Sequence, residues 1–491
     1  MRIALLAGAL AAALAVSSAA HAGSDVLTYH GALDRSGRYV VPGLTYERAR
    51  GLHLDPSFHA TLRGAVYAQP LFWRDPGSGK AVLIVATDQD EVHAIDANSG
   101  AQVWTRSLGE PVPRSALPCG NLPTLGVTGS PVIDPKRATL YLDAMVMRGD
   151  EPRHEINALA LADGSIEPGW PVDVGTALKG SFTPAVQNQR GALALFDGRV
   201  FVPYSGHFGD CGDYHGTVVG VSESDPAKVE SFATRARGGG IWGQGGVTGD
   251  GKSLFVATGN TFGARAWGDG EAVLRLSLTL ARPVDSRDYF APSNWRFLDG
   301  ADRDLGSTAP IPLDVPSAKG VRRLIFAIGK SGDAYLIDRD NLGGIGHPLL
   351  TEHVMANVTI ASPAVWSVGD SVFVALQGYG ANCPPDKTGK GLVALRISVD
   401  PSPKIETVWC ATVQGNRGSP IVTTTEGGAN PIVFIVGAEA DNRLYAFRGD
   451  DGELIASPPE HMRSFRRFET LIAAGDRLYA ASGGQVYAFA F

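Results

Sequence analysis

Between Ser205 and His215 the chain reads SGHFGDCGDYH, which places two histidines and two aspartates in one glycine-rich stretch. Imidazole and carboxylate are metal-ligand types, so His207, Asp210, Asp213 and His215 form a candidate metal loop. The competing expectation is that such residues hydrogen-bond their own loop. GVTGDGKS, Gly246 to Ser253, has the spacing of a phosphate cradle, but it runs into SLFVATGN, which reads as a strand. A cradle needs a helix there, so a hairpin is expected. Aspartates at Asp96, Asp338 and Asp450 sit in turn sequences where a carboxylate ordinarily accepts from its own backbone. Nothing in the chain matches a Gly-x-Ser-x-Gly elbow or a His-Glu-x-x-His pair, so hydrolase chemistry has no anchor.

The elements that must position any such chemistry come from a repeat. A small residue between aromatic or aliphatic neighbours, followed by a polar turn, recurs at Ala94, Ala158, Gly220, Arg275, Leu336, Ala394, Ala446 and Ala488, 42 to 64 residues apart. That is the range of a four-stranded propeller blade or just above it. One unit reads as four strands: YAQPLFW from Tyr67, AVLIVATDQ from Ala81, EVHAIDANSG from Glu91 and AQVWTRSL from Ala101. Ser/Thr-Pro pairs at Ser130, Thr183, Ser362 and Ser419 suit the start of an innermost strand, where proline's missing donor is tolerated. The last copy has only three strands, and Phe58 to Leu62 can supply the fourth. The expectation is therefore an all-β, eight-bladed propeller of antiparallel four-stranded blades, closed by an N-terminal strand. Seven blades with an extra hairpin is the alternative.

Residues 1–22 read as a secretory leader: Arg2, an apolar run from Ile3 to Val16, and Ala20-His21-Ala22 as a cleavage signature. That run is too short to span a bilayer. A single domain over 23–491, periplasmic or secreted, is expected. Cys119, Cys211, Cys383 and Cys410 can then oxidise, and of three possible pairings Cys119–Cys211 with Cys383–Cys410 is preferred. A net charge of −7 with both signs interspersed argues against nucleic acid or an anionic membrane, which require a basic field.

The Tyr/His, Ala, apolar, Asp, Gly, Trp order of these repeats resembles the pyrroloquinoline quinone (PQQ) repeat, found in alcohol and methanol dehydrogenases and in non-enzymatic outer-membrane assembly propellers. The resemblance covers nearly all of residues 60–491. RGGGIWGQGG…FVATGN is similar to the dehydrogenase segment whose tryptophan lies under the quinone and whose asparagine binds calcium, which implies Trp242 and Asn260. DGADRDLG resembles the segment with the catalytic aspartate, implying Asp302, with Asp304 as the alternative. LIFAIGKSGD resembles the one with a basic residue at the quinone carbonyl, implying Lys330. A platform, a cation, a base and a fixed positive charge are what hydride transfer from an alcohol to a quinone requires. The family's further calcium-binding glutamate has no counterpart; Asp210 or Asp213 stands nearest. Cys119-Gly120 replaces the adjacent cysteines many of these enzymes hold over the quinone, and no arginine follows just after. The resemblance thus implies PQQ and calcium, a small-molecule alcohol or sugar substrate and a separate electron acceptor. If catalysis is absent, it implies a scaffold that binds protein or glycan.

Overall fold

The computed structural model describes residues 25–415 and 417–491; the leader expected over 1–22 lies outside the described residues. Eight sheets follow one another along the chain. In the first, strands Leu71–Arg74, Ala81–Ala86, Glu91–Asp96 and Gln102–Ser107 pair in sequence order, as the repeat implied. The next six blades begin on innermost strands Val132–Asp134, Ala194–Phe196, Thr248–Gly249, Ile311–Ser317, Ala364–Val368 and Ile421–Thr424. The eighth, Leu471–Ala474, Arg477–Ser482 and Gln485–Ala490, gains its outer edge from the N-terminal part of the chain. Ala60–Thr61 pairs with Gln485–Val486, and His53–Leu54 with Phe489–Ala490. The chain is an eight-bladed propeller, closed where the sequence predicted.

The small residue of the repeat sits where one blade presses on the next. A Cβ at Gly220 would lie 3.3 Å from Leu280 of the next blade and 3.2 Å from the ring of Phe201, its partner across the same sheet, and Ala94, Ala158, Ala394, Ala446 and Ala488 are fully buried. Apolar cores form between blades rather than within them: Leu71, Ile84 and Ala94 of blade one pack with Ile133, Leu140 and Leu142 of blade two.

Several local readings can be settled. Thr248 pairs with Phe255 across a hairpin, and Asp250 accepts from the Lys252 and Ser253 amides, so the phosphate-cradle spacing is a β-turn. Asp96 and Asp338 likewise accept from their own turns. At the third such site the turn belongs to Asp451, because Asp450 is engaged by Arg448. The proline of Thr183-Pro184 opens a 3-10 turn, Pro184–Val186, and not an innermost strand, which begins only at Ala194.

One feature was not anticipated. Residues 26–40 run around the inner strands at one end of the central channel. Val26 bridges Phe72 of blade one; the carbonyls of Leu27, Leu33, Ser36 and Gly37 accept from Ile133, Gly249, Val365 and Val422 of blades two, four, six and seven. Arg38–Val40 then adds a parallel strand to blade seven. Within this loop the fully buried Arg35 guanidinium donates to the carbonyls of Leu193 (2.7 Å), Gly245 (3.0 Å) and Val247 (2.8 Å) and to Thr28 Oγ1 (2.5 Å). That end of the channel is closed by the protein's own chain.

Candidate functional site

The other end is built from two kinds of position that every blade offers. One is the loop that precedes an innermost strand; the other is the turn that follows the second strand. At that turn three successive blades place a polar side chain directly after a glycine: Gly206-His207, Gly259-Asn260 and Gly329-Lys330. The glycine is needed because the backbone there meets the neighbouring loop. A Cβ on Gly259 would lie 2.9 Å from Trp242 Nε1 and 3.0 Å from Asp304 Oδ1. The pre-strand loops contribute Arg190, Trp242, Asp304 and Phe468.

Trp242 of blade four meets Phe468 of blade eight edge to face, with centroids 6.2 Å apart. Blades four and eight face each other across the ring, so these aromatics occupy the axis. Two cations approach the Trp242 ring, Lys330 Nζ at 5.1 Å and the Arg190 guanidinium at 5.3 Å.

Lys330 stands between two carboxylates, 2.6 Å from Asp302 Oδ1 and 2.5 Å from Asp304 Oδ2. The two acids differ in setting. Helix Trp295–Ala301 is tied to the Asn260 turn by Asp299, which accepts from the Thr261 amide (2.8 Å) and hydroxyl (2.6 Å). Asp302 caps that helix in the left-handed region, φ 52°, and turns outward with its side chain 75% exposed. Asp304, two residues on, points inward and is buried. Its Oδ1 accepts from the Asn260 amide at 2.7 Å and its backbone carbonyl from Lys330 N at 2.9 Å, so one residue clamps the turns of blades four and five.

Behind it lies Glu271, fully buried, with Oε2 accepting from Leu305 N at 2.6 Å. Burial, reinforced by the Asp304 charge, holds the Glu271 carboxyl well above the usual carboxylate range. Burial also raises Asp304, opposed by the Lys330 ammonium. Desolvation works against that ammonium, but Asp304 and Asp302 outweigh it and raise the Lys330 pKa. Displaced pKa values of this kind in a cleft mark candidate functional groups. A hollow of about 330 Å3 opens beside Lys330, lined in part by Phe297, Arg303, His353 and Asn357.

Of the residues named from sequence, Trp242, Asn260, Asp302 and Lys330 are brought together, although Asn260 joins through its backbone amide. Asp210 does not enter the cluster as a ligand. It is exposed, and its Oδ1 accepts from the Tyr214 hydroxyl at 2.6 Å. His215 Nδ1 lies 2.8 Å from the Thr234 carbonyl. Among the described residues no group of three or more His, Cys, Asp or Glu is arranged to hold a metal ion, and Asp210 and His215 of the loop are engaged by hydrogen bonds to Tyr214 and Thr234. The loop is fastened by Cys119–Cys211, and Cys383–Cys410 closes the second disulfide, the pairing preferred from sequence. Sequence reasoning missed Glu271, Arg190 and Phe468. The Gly-x step at the end of the second strand in blades three, four and five was the available signal for this part of the mouth.

The family described as outer membrane protein assembly factor BamB, of the PQQ-repeat type, matches residues 68–201. The resemblance to PQQ-repeat propellers holds. Among solved structures, quinohemoprotein alcohol dehydrogenase ADHIIG from Pseudomonas putida HK5 is 16% identical with a TM-score of 0.65, over 95% of this chain and 80% of that one. The quinohemoprotein alcohol dehydrogenase from Comamonas testosteroni is 15% identical with a TM-score of 0.63 at the same coverage. A europium-containing methanol dehydrogenase is 12% identical with a TM-score of 0.64, over 95% and 98% of the two chains. Identities this low establish the shared propeller fold. No curated protein matches the chain. Among the described residues no helix is long and apolar enough to cross a membrane.

Proposed function

We propose that this chain is an extracytoplasmic quinoprotein-type oxidoreductase that oxidises an alcohol or sugar hydroxyl at the open mouth of the propeller and passes the electrons to a separate carrier. The observation that carries this reading is the Trp242 indole on the channel axis, with the Lys330 ammonium 5.1 Å from its centroid and held by two carboxylates. Two disulfides accord with an oxidising compartment.

The residues fit PQQ: an aromatic face suits a flat ring system, and a fixed ammonium beside it suits a ligand with carboxylate and carbonyl oxygens. When bound, the quinone supplies the hydride acceptor. Trp242 would hold its plane, and Lys330 would face the oxygen on which negative charge gathers. Asp302, exposed at the mouth and paired there with Lys330, is the carboxylate placed to take the hydroxyl proton. Asp304 and Glu271 are positioning residues: the first fixes the ammonium and the Asn260 turn, and the second backs Asp304 and holds the Leu305 amide. The hollow beside Lys330 is of a size for a small substrate.

Calcium does not fit in the same way. It takes six to eight oxygens, whereas Asp210 is turned to Tyr214 and the Lys330 ammonium lies between Asp302 and Asp304. No step is therefore assigned to calcium.

PQQ added to the purified protein is expected to shift the quinone absorbance and raise the melting temperature, with no requirement for added calcium. Asp302→Asn should keep the cofactor and lower alcohol-dependent dye reduction at least about 100-fold, the lower end of what a positioned proton acceptor contributes. Absence of any spectral or thermal response overturns the reading. The match of residues 68–201 to the BamB family favours the second reading, a non-catalytic propeller that displays loops to protein or glycan. That reading requires no response to PQQ.

A further inference from the structure

Arg190 is a charged group at the mouth with no part in the proposed hydride chemistry. Its guanidinium carbon lies 5.3 Å from the Trp242 centroid and 4.8 Å from that of Phe468. Its Nε is buried and has no hydrogen-bond partner, and among the described residues none forms an ion pair with it. The two charged neighbours that could matter are already engaged. Asp210 accepts from Tyr214 at 2.6 Å, and Arg467, a like charge, is held by Glu439 at 2.7 and 2.9 Å.

A guanidinium partly withdrawn from water, with its Nε buried and no anion beside it, is destabilised, and cation–π contact recovers only about 0.5–2 kcal/mol of that. Arg35 shows how this protein treats an arginine that serves structure alone: it is surrounded by carbonyls. The Lys330 charge beside it is matched by Asp302 and Asp304. Arg190 is therefore the uncompensated positive charge on the Trp242–Phe468 pair. Its planar fork pairs two N–H groups with a carboxylate in a way an ammonium cannot, and the adjoining indole favours a flat partner.

We propose that the open mouth is a binding site for a carboxylate borne on a planar aromatic or heteroaromatic ligand, with Arg190 as the residue that takes the carboxylate. The carboxylate can belong to a PQQ-type cofactor or to an aromatic acid substrate. The proposal stands apart from the redox reading, since it requires binding and no electron transfer.

Benzene-1,2,4-tricarboxylate, flat and redox-inert, serves as the probe, titrated calorimetrically into the full chain. Wild-type protein is expected to bind it; Arg190→Leu should weaken binding at least about 30-fold, and Arg190→Lys, which keeps charge but not the fork, about 10-fold, consistent with charge-assisted hydrogen bonds of about 1.5–3 kcal/mol. The lysine variant keeps the test intact if the leucine variant folds poorly. Titrating PQQ and its trimethyl ester separates the sources. Parallel losses for PQQ and probe, with the ester bound weakly by wild type, assign the carboxylate to the cofactor. Loss confined to the probe assigns it to substrate. Failure of wild type to bind the probe, or equal binding by all three proteins, overturns the proposal. Probe binding without PQQ-dependent dye reduction would leave the carboxylate site standing and remove the quinoprotein reading.

Discussion

The two ends of the channel each hold an arginine, fully buried at the closed end and partly exposed at the open end, and desolvation pushes both guanidinium pKa values down to about 10. At the closed end Arg35 donates to carbonyls of its own loop and of blades three and four. At the open end Arg190 lies between two aromatic rings with its Nε unpartnered. The charge is thus alike, and the surrounding acceptors are not. A side chain whose donors are all met by backbone holds blades together. One whose donors are withheld from the protein is left for something the protein does not contain.

The sharpest way to break this contrast is to remove both arginines in turn. Arg35→Leu strands the carbonyls of Leu193, Gly245 and Val247 in the interior. At about 1–3 kcal/mol for each orphaned buried group, the loss should reach about 5 kcal/mol, read as a lower denaturation midpoint. Arg190→Leu strands nothing and should stay within about 1 kcal/mol of wild type. Equal losses would show that Arg190 is structural too.

The disulfides offer the next largest effect. Cys119–Cys211 spans 92 residues and fastens the loop over the open mouth, while Cys383–Cys410 spans 27. Loop-closure entropy makes removal of the first worth about 4.6 kcal/mol and of the second about 3.6. Serine replacements compared in chemical denaturation should keep that order. If the Cys119 and Cys211 replacements cost less than the Cys383 and Cys410 pair, then the mouth loop is held chiefly by contacts such as Tyr214–Asp210.

The contrast between the ends also explains what the sequence could and could not disclose. Blades are legible because each depends on local alternation, a small residue such as Ala94 or Ala446 where the next blade presses, and an aspartate such as Asp96 that closes its own turn. Ring closure at Ala60–Thr61 followed from counting strands. Residues 26–40 have no such period: Tyr29, His30 and Arg35 draw their partners from many blades, so nothing adjacent in sequence announces them. The open mouth lies between these cases. Trp242, Asn260 and Lys330 stand in segments that resemble a known family, yet choosing between Asp302 and Asp304 depends on the left-handed turn at Asp302, which sends one carboxylate outward and leaves the next inside. Arg190 has no local pattern at all, because Phe468 reaches it from across the ring.

The smallest of the three effects comes from histidine. His30 at the closed end is fully buried, stacked on Tyr29 at 4.3 Å, and burial lowers its pKa from 6.5 to about 3. Between those values the unfolded chain binds the proton and the fold does not, so stability is full above pH 6.5 and declines as pH falls toward 3. The slope is about 1.4 kcal/mol per pH unit, or about 2 kcal/mol between pH 6.5 and 5. His30→Gln should remove that increment from the pH dependence of the denaturation midpoint; an unchanged slope would mean that the closed end takes up protons without unfolding. His207 at the open end, lowered to about 4 by burial and by nearby His154, Arg114 and Arg190, is the counterpart. Its loop covers the mouth and does not thread the ring, so acid should loosen it first. Amide exchange at pH 5 is expected to rise over residues 207–215 while strand Arg38–Val40 stays protected; simultaneous loss at both places would show that the two ends unfold as one unit and that the open mouth has no mobility of its own with which to admit a ligand.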